Sequence, residues 1–369
     1  MSTPFTGQYL ASLEINGHRG HLTINADSDR QGLGLAYLVL YNDPQAFLIF
    51  DCKLNQDEGS ISGTAKRSIK LEAAYGKKAD SSNEEPPLIN LRIDTKETPH
   101  KLVYDEADGQ QELLLQPVVS DVYAETVRLD TWKDFKAWVE TIREKDAQAI
   151  FRGVSRARYG LKTSFHRTGR ADLERYRDFD FPVFRDLAET IGGLKFSFDP
   201  DDNGALWGYA QHHGFPTPLL DWTESPYIAA YFAFFERLQN QDGKDADLVK
   251  IYYLNGQFVE SQRPTNLQIA DVFPRVWSFR PKSKGNQRLV FQQGQFLHSN
   301  VVEIEAYLMS LPHQGDLPLI SAVEMPASLA SEVIDELAYM GVSHLSLFPG
   351  LDGAARHATF RQFYRPTKF

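Results

Sequence analysis

The chain of 369 residues has one cysteine, Cys52. A single cysteine excludes an intramolecular disulfide. Cys52 sits in the apolar run AFLIFDCKL, which marks it as a small buried hydrophobe rather than a nucleophile. No grouping of Cys and His has zinc spacing, so no metal is expected. Also missing is any apolar run near the ~20 residues of a membrane-spanning helix. The N-terminus, MSTPFTGQYLASLEING, lacks a basic region followed by an apolar stretch. No signal peptide is therefore expected, and the reading is a cytoplasmic protein without membrane partners. Excess positive charge is absent too: 39 Lys and Arg face 49 Asp and Glu, a net charge of −10. That balance disfavours nonspecific binding to nucleic acid or anionic lipid, which needs clustered cations.

What is present is an ordinary globular composition, 42% hydrophobic and 24% charged, with aromatics at 12% to fill large cores. Length suggests two domains, since single cores rarely grow beyond ~250 residues. Over residues 1–120 the periodicity is that of strands: GQYLASLEI, GHLTINA, LAYLVLYND, AFLIFDCKL, SISGTAKRSIKLEAAY and LINLRIDT. Turn signals separate them, at Asn16-Gly17, Asp43-Pro44 and Asp57-Glu58-Gly59. The expectation is an antiparallel β domain, barrel or sandwich, with Lys77 to Pro87 as a long solvated loop. His18 and His21 flank one turn and read as a solvent-facing hairpin pair. No chemistry shows in this half, whose simplest role is to regulate or to bind a partner protein.

From about residue 125 to 369 the pattern is mixed, giving an α+β chain. TWKDFKAWVETIREKDAQ is a helix with Asp130 or Thr131 as N-cap. AIFRGV, DADLVKIYYLN, RLVFQQGQFL and PLISAVEMP read as strands. YIAAYFAFFERLQ is a helix, and SLASEVIDELAYMGV is another, closed by Gly341.

Three polar constellations lie in this second part. Phe151-Arg152-Gly153 ends an apolar strand. Its arginine is either a surface end-cap or an inward clamp for phosphate or carboxylate, and its glycine permits close approach by backbone or ligand. In QHHGFPTPLLDWTESPYIAAYFAFF, Asp221, Thr223 or Ser225 can cap the helix that Pro226 begins, and a capped N-terminus also attracts anions. Capping leaves Gln211, His212 and His213 without a purpose. RLVFQQGQF sets three glutamines and a glycine in a strand-like run, either a polar sheet edge or a close backbone approach.

FRGV, QHHGFPTPLLDWTESPYIAAYFA, RLVFQQGQF and LSLFPGLDGAARH, in that order, resemble the FRG domain family over roughly residues 125–358. The resemblance implies a factor of bacterial or phage conflict, such as a toxin or phage-defence protein. The apolar-Arg-Gly strand is also similar to the first strand of arginine-type ADP-ribosyltransferases. That second resemblance implies NAD as substrate, with Arg152 and Gly153 at its phosphate and ribose. Thr217 or Thr223 stands for the hydroxyl on a later strand. The carboxylate of a third strand falls near Gln292, Gln293 or Gln295, where this chain has amides. An amide holds ribose hydroxyls but supplies no charge against the cation that develops there. The expectation is that Asp221 or Glu224 compensates, with Arg152 and Gln293 completing the catalytic set. Gln211, His212, Trp222, Thr223, Tyr227 and Gln292 would line the NAD pocket.

Three alternatives follow from the same residues. The pocket could serve a nucleotide- or protein-binding module without turnover. It could belong to a nucleic-acid enzyme, drawing on Arg152, Arg156, Arg158, Arg167 and Arg170. It could belong to a hydrolase using His212 or His213 with Asp221, although no Gly-x-Ser-x-Gly motif is present. The macromolecular target, protein or nucleic acid, is not legible.

Overall fold

The computed structural model describes residues 6–15, 17–41, 47–75, 88–106, 109–117, 122–197, 199–239, 248–263, 267–312 and 316–364. The segment 77–87, read as a loop, lies outside them, as does the Asp43-Pro44 turn. Eight strands open the chain: β1 (Gly7–Ile15), β2 (His18–Ala26), β3 (Leu33–Leu40), β4 (Phe47–Asp57), β5 (Ser60–Arg67), β6 (Leu88–Asp94), β7 (His100–Glu106) and β8 (Gly109–Pro117). Each pairs antiparallel with the next. β8 returns to β1 at Ala11↔Pro117 and Ser12↔Gln116, closing a barrel. Ile69–Ala74 is a helix rather than a continuation of β5, and its Glu72 carboxylate binds Arg67 and the Ile49 amide.

The period of two explains how the barrel is placed. On β3 and β4, Ala36, Cys52 and Leu54 point into the barrel with Ile24, Ile61 and Leu115. The intervening Leu35, Tyr37, Val39, Phe47 and Ile49 point outward, yet they are buried against Val272 and Phe273. These two strands are thus apolar on both faces because the second part of the chain covers one of them. His21 belongs to this contact. It is buried on β2 beside Tyr41 and Phe273, with Nε2 3.3 Å from the Val272 carbonyl, while His18 is exposed, so they are not a solvent-facing pair. Asp27, 2% exposed, accepts from the amides of Ala171 (2.8 Å) and Asp172 (3.0 Å) and from Arg175 (2.9 Å). Cys52 is buried, and burial pushes its thiol up to about 12.

The remaining strands are β9 (Glu125–Arg128), β10 (Ile150–Val154), β11 (Leu219–Thr223), β12 (Leu248–Leu254), β13 (Val276–Phe279), β14 (Gly294–Ser299) and β15 (Ile320–Pro326). They form one sheet in the order β13-β14-β11-β10-β12-β15-β9, antiparallel except for β15 with β9. The helix Trp132–Lys145 starts at Thr131, whose side chain and that of Asp134 cap one another's amides. With the helices Pro226–Gln239 and Ala330–Tyr339 it covers Phe151, Val249, Ile251 and Tyr253 on one face. The other face buries Ile150, Leu220, Trp222, Tyr252 and Leu297 with the helix Ile304–Ser310.

Two features shape the site. β10 pairs with β12 along Ile150–Val154, and β11 pairs with β14 along Leu219–Thr223. Between β10 and β11 only Phe151↔Thr223 pairs, so the sheet splits there. The run RLVFQQGQF is not one strand. Arg288–Phe291 is a short helix, Gln293 is left-handed at φ 46°, and β14 begins at Gly294. Too few residues separate helix from strand for periodicity to show the change.

Candidate active site

A cavity of about 460 Å³ opens where β10 and β11 part. The single pair between these strands leaves the Asp221 carbonyl facing the gap. Arg152 fills it: Nη1 donates to that oxygen at 2.5 Å. Burial pulls the Arg152 pKa below its ordinary value, and nearby Asp221 opposes the shift. The Asp221 side chain is exposed in the cleft and accepts from Gln211 Nε2 at 2.9 Å. Gln211 Oε1 in turn accepts from the buried Thr217 hydroxyl. This relay fixes the amide's orientation and presents the carboxylate to the cleft.

His212 also lines the cavity. Burial lowers its pKa to about 4, with Arg288 and His213 adding to the shift and Asp221 opposing it, so the ring is neutral near pH 7. Thr223 is turned to structure. Its hydroxyl donates to the Gln292 carbonyl at 2.7 Å and accepts from the Ser225 amide at 3.1 Å. Ser225, not Asp221, caps the helix Pro226–Gln239, accepting from the Ile228 amide at 3.3 Å.

Of the residues expected here, Arg152, Gly153, Gln211, His212, Asp221, Trp222, Thr223 and Gln292 line the cavity. Thr217 stands behind it. Glu224, Gln293 and Tyr227 are not part of the lining. The Glu224 carboxylate pairs with Arg280, and the Gln293 carbonyl accepts the Glu224 amide at 3.0 Å. Tyr227 packs edge-on against Trp132 and Phe135. Gln295 is the glutamine of β14 that enters the cleft.

Sequence reading missed Glu236, Arg288, Asn286, Tyr159 and Phe348, all on the cavity wall. Ala229, Phe232 and Glu236 were detectable, since their spacing places them on one helix face. Arg167 lines the cleft, whereas Arg170, grouped with it by sequence, pairs with Asp27 and Asp180. Among the described residues Arg152, Arg167 and Arg288 form no salt bridge. Arg167 donates to the Lys162 carbonyl and Arg288 lies over the Phe348 ring. Three buried wall residues carry side-chain atoms without partners among the described residues: Trp222 Nε1, Asn286 Oδ1 and Gln295 Oε1. Buried polar atoms are nearly always satisfied, so these three are unusual features of the wall.

Comparison with known families bears on this arrangement. Residues 147–242 match the FRG domain. The match begins just before β10 and ends beyond the helix Pro226–Gln239, so it holds Arg152, Arg167, Gln211, Asp221 and Glu236. It is shorter than the span 125–358 read from motifs, and β14 and LSLFPGLDGAARH fall outside it. No curated protein and no solved structure matches the chain. The split between β10 and β11 therefore lies inside the segment that matches the FRG domain, while the third wall of the cleft comes from sequence beyond it.

Proposed function

We propose that the FRG domain cleft binds NAD by its phosphates and transfers its ADP-ribose to an acceptor. The observation that carries this reading is the split sheet, with Arg152 in the seam and Arg167 and Arg288 on the wall, none of the three in a salt bridge among the described residues. Guanidinium groups match phosphate oxygens in a planar, two-pronged way. β14, β11 and β10 also lie side by side, so the three strands required by the ADP-ribosyltransferase resemblance meet at this seam. Asp221 then supplies the charge that the glutamines lack. As the bond between ribose C1′ and the nicotinamide nitrogen breaks, its electron pair stays with nicotinamide, and the ribose becomes cationic. The Asp221 carboxylate stabilises that cation, Gln295 holds ribose hydroxyls, and the acceptor attacks C1′ while Asp221 or Glu236 takes its proton. Neutral His212 adds no repulsion to the developing charge.

A second reading is a nucleotide-binding module without turnover. Its support is that β14 offers an amide, Gln295, and that Glu224 is engaged by Arg280. Calorimetry with NAD, beside an assay of nicotinamide release, separates the two. Binding without release favours the module, and absence of both overturns the NAD reading.

A further inference from the structure

We propose that LSLFPGLDGAARH, residues 345–357, builds a second site beside the cleft, one that holds a phosphate group between Arg356 and Arg288. A cavity of about 440 Å³ lies here, lined by Arg288, His344, Phe348, Asp352, Gly353, Ala355 and Arg356. Arg288 and Phe348 belong to both cavities, and the guanidinium lies 5.1 Å from the centre of the Phe348 ring. A ligand can therefore continue from one into the other.

The helix Leu351–Thr359 starts at this second cavity. Its N-cap is Gly350, at φ 103°, and no side chain caps its first amides. Free amides at a helix start attract anions. Gly353 allows the helix to sit against the preceding loop, since a Cβ there would lie 1.7 Å from the Phe348 carbonyl oxygen. Arg356 follows one turn later on the same side. Among the described residues it has no ion-pair partner.

The independent sign of a ligand is His344. It is 5% exposed and clamped between Phe348 and Phe235, with ring centroids 4.2 and 5.1 Å away. Its Nδ1 meets the Tyr231 hydroxyl at 3.2 Å, and its Nε2 has no partner among the described residues. When Tyr231 donates to Nδ1, Nε2 carries the proton and is a donor. Burial lowers the His344 pKa to about 4, and Arg356, His357 and Arg288 push it the same way. Asp352 is the one carboxylate on the wall among the described residues, and the two arginines outweigh it. Donors from guanidinium, imidazole and helix start thus outnumber the one carboxylate and suit a phosphate group of a free nucleotide or of a nucleic-acid strand.

The site does not depend on the NAD reading, and its test is separate. The full chain is titrated at low salt with inorganic pyrophosphate and with a short single-stranded oligonucleotide. Arg356→Ala should weaken binding of the probe about tenfold or more, the scale of losing a charge-assisted hydrogen bond. Arg356→Lys should recover part of the loss, and Asp352→Asn should tighten binding. Arg152→Ala should weaken this titration less than Arg356→Ala does, since the probe's phosphates can also enter the cleft. Arg356 is exposed, so an unchanged thermal midpoint will show that the variant folds. Equal binding of both probes marks free nucleotide as the source, and tighter, salt-steep oligonucleotide binding marks a strand. No binding of either probe, or binding lost in Arg152→Ala but kept in Arg356→Ala, overturns the proposal.

Discussion

Arg152 Nη1 lies 2.5 Å from the carbonyl oxygen of Asp221, although the strands carrying them share only one residue pair. A side chain thus occupies the place of a ladder hydrogen bond. Arg152→Ala should therefore cost two things. Stability should fall by about 1 kcal/mol, the net worth of one hydrogen bond at a site that water can enter. NAD binding should be lost, and lysine should restore it only in part. Urea unfolding and calorimetry measure both. Full NAD affinity in the alanine variant would remove Arg152 from the site.

Asp221 and Glu224 are three residues apart, and the structure separates them. Asp221 opens on the cleft, held by Gln211, while Glu224 is paired with Arg280. Asp221→Asn should lower the rate of nicotinamide release on the order of a hundredfold with NAD affinity retained. Glu224→Gln should leave the rate within a few-fold of wild type. The opposite ranking would move the catalytic carboxylate to Glu224.

This pair shows how far the sequence could be read. Arg152, Gln211, His212, Asp221 and Trp222 were legible because polar groups next to apolar runs have few structural uses. Glu224 and Tyr227 looked equivalent to them, because one-dimensional proximity cannot say on which side of a strand end a side chain falls. The strand β11 was itself obscured, since Asp221, Thr223 and Ser225 before Pro226 are also what a helix cap requires. Long elements with clear periodicity, such as the barrel strands and the helix Trp132–Lys145, were readable. The burial of β3 and β4 on both faces was not, because it arises from contact with residues more than two hundred positions away.

Five histidines carry depressed pKa values, with burial the leading cause: about 4 for His21, His212 and His344, and about 3 for His166 and His298. In the unfolded chain each titrates near 6.5. Between those values the unfolded state binds more protons than the folded one. The stabilisation is thus fully present above pH 6.5 and is lost as pH falls toward 4. Each such group contributes up to ~1.4 kcal/mol per pH unit in that window. The thermal midpoint should drop steeply from pH 6.5 to pH 5 and stay nearly flat from pH 7 to pH 8. A flat profile from pH 7 to pH 5 would show that these rings titrate in the fold as they do in the unfolded chain.

Asp27 joins the barrel to the second part of the chain. It is buried and meets two amides and two arginines, Arg170 and Arg175. Asp27→Ala leaves those groups short of an anion, a loss of about 3–5 kcal/mol for one partner of a buried pair. Chemical unfolding of the full chain should register that loss, and protease should cut sooner between residues 115 and 131. A midpoint within 0.5 M urea of wild type, about the effect of a surface substitution, would contradict the role given to Asp27.

Gly153 decides what the Phe-Arg-Gly strand is for. Phe151 enters the core beside Trp138 and Tyr253, and Arg152 turns to the cleft. Gly153 faces the helix Pro226–Gln239, where an added Cβ would lie 1.9 Å from the Ala229 carbonyl oxygen and 2.9 Å from the Ala233 amide nitrogen. Both are backbone atoms, so no side chain can swing aside. The glycine is needed for helix-on-strand contact, and close approach by a ligand is not required to explain it. Gly153→Ala should destabilise the protein by roughly 3 kcal/mol, the upper range for overpacking a well-filled core. Displacing that helix also moves Ala229, Phe232 and Glu236 on the cleft wall, so NAD binding should weaken as a consequence of the packing change. Urea unfolding and NAD calorimetry on the same preparation distinguish cause from consequence. A variant as stable as wild type that has lost NAD binding would assign Gly153 to the ligand instead of the helix.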